Sequence, residues 1–175
     1  MTVHKMTIRP RLVKIPPMSL PGKPVSASAI NDQTAIVFPN DLNSLSTLFG
    51  GRLIERADLV AAVVAKRHAG RSCVTLGIDS VRFLASATHG DILVFKAAVN
   101  RVWHTSMEIG MKVFADDFQT GQRKHIVSAY FTFVGVDEKL CPIEIPPVIP
   151  ETEEEKRRFR EADERRQNRL KNRKR

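Results

Sequence analysis

A single apolar stripe of helical period, followed only by long β-rich runs, is what most limits the folds open to this chain. From Leu53 the apolar residues fall at positions 53, 54, 57, 60, 61 and 64, the spacing of one face of an α-helix. The helix should run for about 18 residues, roughly 27 Å, and stop near His68 to Gly70, where glycine suits a left-handed cap. Ahead of it, Thr34 to Phe38 is a short β-branched and aromatic run stopped by Pro39, a first strand. After it come Cys73–Phe83, Asp91–Trp103, Ser106–Ala115 and His125–Val136, each rich in Val, Ile, Thr, Phe and Met, with turn residues at Ala87–Gly90 and Asp116–Gly121. Met107, Ile109, Met111 and Val113 alternate with Glu108, Gly110 and Lys112, which gives a strand two different faces. One early helix and about five strands joined by short turns predict an α+β fold, an antiparallel sheet curled around one long helix. A strand such as Ser106–Ala115 is expected at an unprotected edge of that sheet.

The entry to the helix carries chemistry. In Phe49-Gly50-Gly51-Arg52-Leu53-Ile54-Glu55-Arg56-Ala57-Asp58, two glycines leave the first backbone N–H groups uncovered by side chains. Asp58 stands seven residues after Gly51, close to two helical turns on, so it projects from nearly the same face. A bare helix N-terminus favours developing negative charge, and a carboxylate on that face can align a water. Together they suit hydrolysis of an acyl group. The plainer alternative is a tight helix entry and a solvated aspartate. Asp58 lies four residues after Ile54 and three before Ala61, which puts it at the border of the buried stripe and predicts partial desolvation.

The surroundings favour the chemical reading. Upstream lies Pro39-Asn40-Asp41-Leu42-Asn43-Ser44-Leu45-Ser46-Thr47-Leu48, and downstream Ala61-Ala62-Val63-Val64-Ala65-Lys66-Arg67-His68-Ala69-Gly70. Further on come Phe83, Gly90-Asp91, Thr105-Ser106-Met107-Glu108 and Ala129-Tyr130-Phe131-Thr132-Phe133-Val134. From about Ala35 to Ile149 this ordered set resembles the hot-dog-fold acyl-CoA thioesterases, specifically their cytosolic acyl-CoA hydrolase branch. The resemblance implies hydrolysis of acyl-CoA to free fatty acid and CoA. Asp58 matches the family's general base or nucleophile, Asn43 an asparagine that faces it from the other subunit, and Gly50 and Gly51 the N–H donors to the thioester carbonyl. Thr105 and Ser106 match a segment lining the pantetheine and phosphate path. Read by themselves, Asn43 could equally close an Asx turn after Asp41, and Thr105 and Ser106 could be ordinary strand hydroxyls.

The resemblance further implies a two-fold dimer with the active site across the subunit boundary, as a trimer of dimers. No cofactor is expected, because coenzyme A is part of the substrate. Four positions depart from the family pattern: Ser46 replaces a usual glycine, Ser86 a proline, and Trp103-His104 a commoner Gly-Arg. The last removes the arginine that usually contacts phosphate.

Charge and composition delimit the rest. The 175 residues carry a net +9, but the ends hold most of it: +4 in residues 1–33, +4 in 151–175, and only +1 between. Basic tails on a nearly neutral body fit poorly with a nucleic-acid groove. Residues 1–30 read as a flexible basic arm, 31–150 as the hot-dog domain, and 151–175 as a charged, solvated helix with Glu154–Arg158 and Glu161–Arg165 pairs, fraying at Lys171–Arg175. Cys73 and Cys141 are too few for a disulfide framework, and Cys73, opening a β-branched run, reads as a small apolar filler. The longest apolar run, Leu59 to Ala65, is far short of the roughly 20 residues that span a bilayer. No signal-peptide core precedes Ala27-Ser28-Ala29, and Pro10, Pro16, Pro17 and Pro21 break a transit helix, so a cytoplasmic location is expected. The five histidines are scattered and no metal site is expected; His68, at the helix end, suits a cation or a carbonyl bond. There is no Gly-x-Ser-x-Gly elbow, P-loop, dinucleotide fingerprint or His-Glu-x-x-His.

Two other functions fit parts of the chain. One is a hot-dog protein that binds acyl-CoA without hydrolysing it. The other is a nucleic-acid binder using the basic tails, whose affinity would fall steeply with salt. A dehydratase would need a helix histidine, which is absent between Phe49 and Ala65.

Overall fold

The computed structural model describes residues 20–172. In chain order the elements are β1 (Lys23–Pro24), β2 (Ile30–Ile36), α1 (Gly50–Ala69), β3 (Cys73–Phe83), β4 (Ile92–Trp103), β5 (Ser106–Asp116), β6 (Arg123–Gly135), β7 (Val148–Ile149) and α2 (Glu153–Asn172). β2, β4, β5, β6 and β3 form one antiparallel sheet in that order, and β1 pairs with β7 in parallel. The fold is the expected α+β arrangement of one long helix against a five-stranded antiparallel sheet.

The helical stripe and the strand alternation meet in the core. Leu53, Ala57, Ala61, Val64 and Ala65 of α1 are buried against Phe95, Ile109, Met111, Phe131 and Phe133 of the inner sheet face. Three alanines on the buried stripe let the helix approach the sheet closely, and the phenylalanines fill the space on either side. Each fully buried phenylalanine contributes roughly 1.5–3 kcal/mol by transfer from water. Gly70 stops α1 with a φ of 64°, and its N–H bonds the Lys66 carbonyl at 2.8 Å.

Several expectations are corrected. Ser106–Ala115 is not an edge: β5 is the central strand, and the edges are β2 and β3. The sequence shows alternation but not strand order, which the long hairpins set. The first strand of the five-stranded sheet is Ile30–Ile36 rather than Thr34–Phe38. As an edge strand it is mostly exposed and so accepts the polar Asn31-Asp32-Gln33. Of the arm expected over residues 1–30, residues 1–19 lie outside the described residues, whereas the stretch after them is folded. Lys23 N–H bonds the Pro147 carbonyl at 2.9 Å, and Val25 and Ser28 are buried.

The helix expected to be solvated lies across the outer sheet face. Arg165 pairs with Glu108 at 2.7 Å, Arg101 with Asp163 at 2.7 Å, and Arg169 with Asp79. Trp103 Nε1–H donates to Asp163 at 3.0 Å. The guanidinium of Arg165 stacks 3.8 Å from the Tyr130 ring centre and that of Arg166 4.6 Å from Trp103. The two intrahelical pairs, Glu154–Arg158 and Glu161–Arg165, both form. The fraying expected at Lys171–Arg175 falls for residues 173–175 outside the described residues. A helix this polar docks by ion pairs and stacked guanidinium groups, with Ala162 and Phe159 as its main apolar contacts.

Candidate active site

The segment before α1 is a closed loop. Leu42 and Leu48 form an isolated antiparallel bridge, and the Asn43 N–H bonds the Thr47 carbonyl at 2.8 Å. The buried Asp41 carboxylate ties this loop to the helix, accepting from Arg56 of α1 at 2.7 Å and from the Phe38 N–H at 2.9 Å. Ser46 sits at a φ of 57°, the left-handed region in which glycine is at ease. The loop still closes, with the Ser46 N–H on the Asn43 carbonyl at 3.0 Å.

Asn43 closes the turn from within. Its Oδ1 accepts from the Leu45 N–H at 2.9 Å, an Asx turn, and its amide donates to Thr47 Oγ1 at 2.9 Å. Within one chain no hydrogen bond joins Asn43 to Asp58.

α1 starts at Gly50 with Phe49 in the cap position and no side-chain cap. The first intrahelical bond runs from the Leu53 N–H to the Phe49 carbonyl at 3.2 Å. The N–H groups of Gly50 and Gly51 therefore have no partner inside the helix. Both glycines are also closely flanked by aromatic rings. A Cβ on Gly50 would sit 3.0 Å from the Phe83 ring and one on Gly51 2.6 Å from the Phe49 ring. Those two phenylalanines are more than half exposed, so an apolar rim borders the open helix end.

Asp58 is half-buried at the border of the α1 stripe, as its spacing predicts. Its Oδ1 accepts a hydrogen bond of 2.9 Å from the Thr75 hydroxyl of β3. Because β3 is a sheet edge, this pair sits where the sheet is unpaired, beside Val74, Leu76 and Ile78, which are all exposed. Thr75 carries no signal in the sequence, since a threonine in a β-rich run is unremarkable; only the packing of β3 on α1 singles it out.

Thr105 and Ser106 lie elsewhere. They sit at the β4–β5 hairpin, where Trp103 pairs with Ser106 and the Thr105 carbonyl accepts from the Gly135 N–H at 2.9 Å. Met107 and Ile109 face α1, so by alternation Ser106 belongs to the outer face, away from Asp58 of the same chain. Of the six residues expected in the site, one chain groups Asp58 with the Gly50–Gly51 helix end and leaves Asn43, Thr105 and Ser106 apart.

The other reactive groups are quiet. Burial pushes the Cys73 thiol up to about 11, which leaves it protonated at neutral pH. His68 is fully buried, its Nε2–H donating to the Pro146 carbonyl at 3.0 Å, so the expected carbonyl bond forms but the ring is not a surface cation. Among the described residues no group of His, Cys, Asp and Glu is placed to hold a metal ion, and no helix is long and apolar enough to cross a membrane.

The Thioesterase superfamily pattern matches residues 45–121, the stretch from the Asn43 loop through β5. An uncharacterized acyl-CoA thioester hydrolase of Bacillus subtilis is 40% identical over 70% of this chain and 72% of its own length. An apo hexameric acyl-CoA thioesterase has 40% identity and a TM-score of 0.84, covering 87% of this chain and 97% of that one. The acyl-CoA hydrolase of Staphylococcus aureus, solved with butyryl coenzyme A, has 36% identity and a TM-score of 0.81 over 87% and 93%. It has also been solved with alanine in place of an asparagine, an aspartate or a threonine. On fold, helix entry and these likenesses together, the chain belongs to the hot-dog acyl-CoA thioester hydrolases of the thioesterase superfamily.

Proposed function

We propose that Asp58 is the base that hydrolyses acyl-CoA, with the N–H groups of Gly50 and Gly51 binding the thioester oxygen. The observation that carries this reading is the Asp58 carboxylate, held by Thr75 on the same helix as an uncapped N-terminus. Gly51 and Asp58 are separated by about 10 Å of helix rise, and helical side chains lean toward the N-terminus, which leaves room for a water and a thioester between them. Asp58 takes a proton from the water as its oxygen attacks the thioester carbon. The oxygen of the tetrahedral intermediate then carries the negative charge that the helix end stabilises. Collapse expels the CoA thiolate, which regains a proton, and releases the fatty acid. Half-exposure suits the base role, since water must reach the carboxylate.

The staphylococcal substitutions support the choice of residues. The asparagine, aspartate and threonine replaced there stand at the same separations from one another as Asn43, Asp58 and Thr75 do here.

Asn43 acts from a second copy of the chain. In one chain it is turned into its own loop, and Asp58 lies at the unpaired β3 edge. A second copy pairing at that edge would cover Val74, Leu76 and Ile78 and bring its own loop toward Asp58. The assembly proposed is a homodimer, three of which form a hexamer, as relatives described as hexameric suggest. Thr105 and Ser106 line the coenzyme path of a neighbouring subunit's site. Neither cofactor nor metal enters the proposed reaction, and a cytoplasmic location goes with it. Non-hydrolytic acyl-CoA binding is the competing reading of the same site.

Thiol release measured across a panel of acyl-CoA chain lengths tests the proposal. Asp58→Asn keeps the size of the side chain and removes the base, so turnover should fall by on the order of 10² or more while acyl-CoA still binds. Turnover at the wild-type rate would overturn the assignment. No turnover by the wild type on any chain length would favour the non-hydrolytic reading.

A further inference from the structure

A cavity of about 500 Å³ lies between the N-terminal half of α2 and the outer face of the sheet, on the side opposite Asp58. That volume is in the range of small-molecule sites. We propose that it binds the dianion of a phosphate monoester, gripped between Lys96 and Lys112.

The argument begins with register. Lys96 of β4 and Lys112 of β5 are direct cross-strand partners. Phe95, Ala97, Met111 and Val113 all face the core, so both lysines project from the outer face into the cavity. Like charges directly opposite each other in a sheet are destabilising.

The protein relieves this pair only in part: Lys96 Nζ lies 5.7 Å from the Phe114 ring centre, and Glu154 attracts Lys112 without forming an ion pair with it. The two carboxylates of the cavity are already engaged. Glu154 pairs with Arg158 and lies 3.6 Å from Arg157, while Glu161 pairs with Arg157 at 2.6 Å and lies 3.8 Å from Arg165. Among the described residues neither lysine has a carboxylate within salt-bridge distance. Four cations against two carboxylates leave the lining at +2, and the excess belongs to the lysine pair.

The chemistry of the ligand follows from that excess. A phosphate monoester carries close to two negative charges at neutral pH and three acceptor oxygens. Two ammonium groups offer six N–H donors to those oxygens, in charge-assisted bonds. The cavity is far larger than a phosphate, because its floor includes Ala98 and Gly110. Phe114, stacked on His125 with ring centres 4.9 Å apart, supplies a wall for the organic part.

Such a phosphate has two sources: a free metabolite, or the ribose phosphate of coenzyme A bound at a neighbouring subunit's site. Calorimetry on the intact protein with phenyl phosphate and with inorganic phosphate as probes tests the site. The double variant Lys96→Gln/Lys112→Gln should bind phenyl phosphate at least tenfold more weakly than wild type, and the wild-type affinity should fall with added salt. Both lysines are surface strand residues, so the variant should fold, and loss of the like-charge pair should raise its melting temperature.

Steady-state kinetics then identifies the source. An unchanged KM for acyl-CoA assigns the site to a free metabolite. A raised KM for acyl-CoA with an unchanged KM for acyl-pantetheine, which has no ribose phosphate, assigns it to the coenzyme. No probe binding to wild type together with an unchanged KM, or equal probe binding by wild type and variant, would overturn the proposal. Neither outcome bears on Asp58, whose variant is read by turnover.

Discussion

At the scale of the residue, two hydrogen bonds make claims that can be measured. The Thr75 hydroxyl fixes one oxygen of Asp58. A hydrogen bond of this kind is worth about 1–1.5 kcal/mol, so Thr75→Ala should lower kcat by about tenfold with little change in stability, because Thr75 is exposed. Stopped-flow and steady-state thiol release would show it. The second claim concerns His68. Burial is the main reason its pKa is lowered, the Pro146 carbonyl opposes the shift, and the nearby Lys23 ammonium adds to it. A carbonyl can only accept, so Nε2 carries the proton and Nδ1 takes the Ser28 hydroxyl at 3.3 Å. The folded state therefore prefers the neutral ring. Below the unfolded value of about 6.5 the unfolded chain binds the extra proton first, so stability present at neutral pH is lost as the pH falls toward the lowered folded value. Urea unfolding between pH 7.5 and 5 should show this loss in the wild type and a flatter profile in His68→Gln. The positions of Asp58 and the two glycines on α1 were legible in the sequence because spacing along a helix is local. Thr75 was not, and for His68 a carbonyl bond was but its burial and its partner were not, since the partners of these two residues lie 17 and 78 residues away.

The same distinction holds for elements. α1 and the four long strands follow from period and turn residues, and their observed limits differ from expectation by only a few residues. Strand order does not follow, and neither does the docking of α2, whose sequence is that of a solvated helix. Its anchor is Glu108, fully buried in the central strand, which accepts from Arg165 and from the Asn100 amide at 2.9 Å. Trp103 adds the bond to Asp163. Removing one partner of a buried pair strands the other, so Arg165→Met should cost about 3–5 kcal/mol. Replacing both, in Glu108→Gln/Arg165→Met, should recover much of that loss. Chemical unfolding of the three proteins gives the comparison, and an undiminished stability of Arg165→Met would mean that the remaining contacts of α2 hold it without Arg165. Four arginines of α2, Arg157, Arg158, Arg165 and Arg169, are committed to carboxylates. Arg165 and Arg169 meet carboxylates of the sheet, so these two charges of the tail are spent within the fold.

For the whole molecule, the decisive experiment is subunit exchange. If Asn43 of one copy completes the site of Asp58 in another, inactive Asn43→Ala and Asp58→Asn proteins should regain activity when mixed, since some mixed dimers hold one intact site. Thiol release after verified exchange measures this, and no recovery would confine each site to a single chain. The sequence could not supply this level by its own spacing, because contacts between copies leave no period in one chain. The β1–β7 pairing bears on a different matter. Lys23 lies beside Val148 and Pro24 beside Ile149, so the chain enters and leaves the sheet domain within about 5 Å, one strand spacing. The two ends of the sheet domain are buttoned together there, and α2 sets out for the outer face from the same spot at which the chain came in.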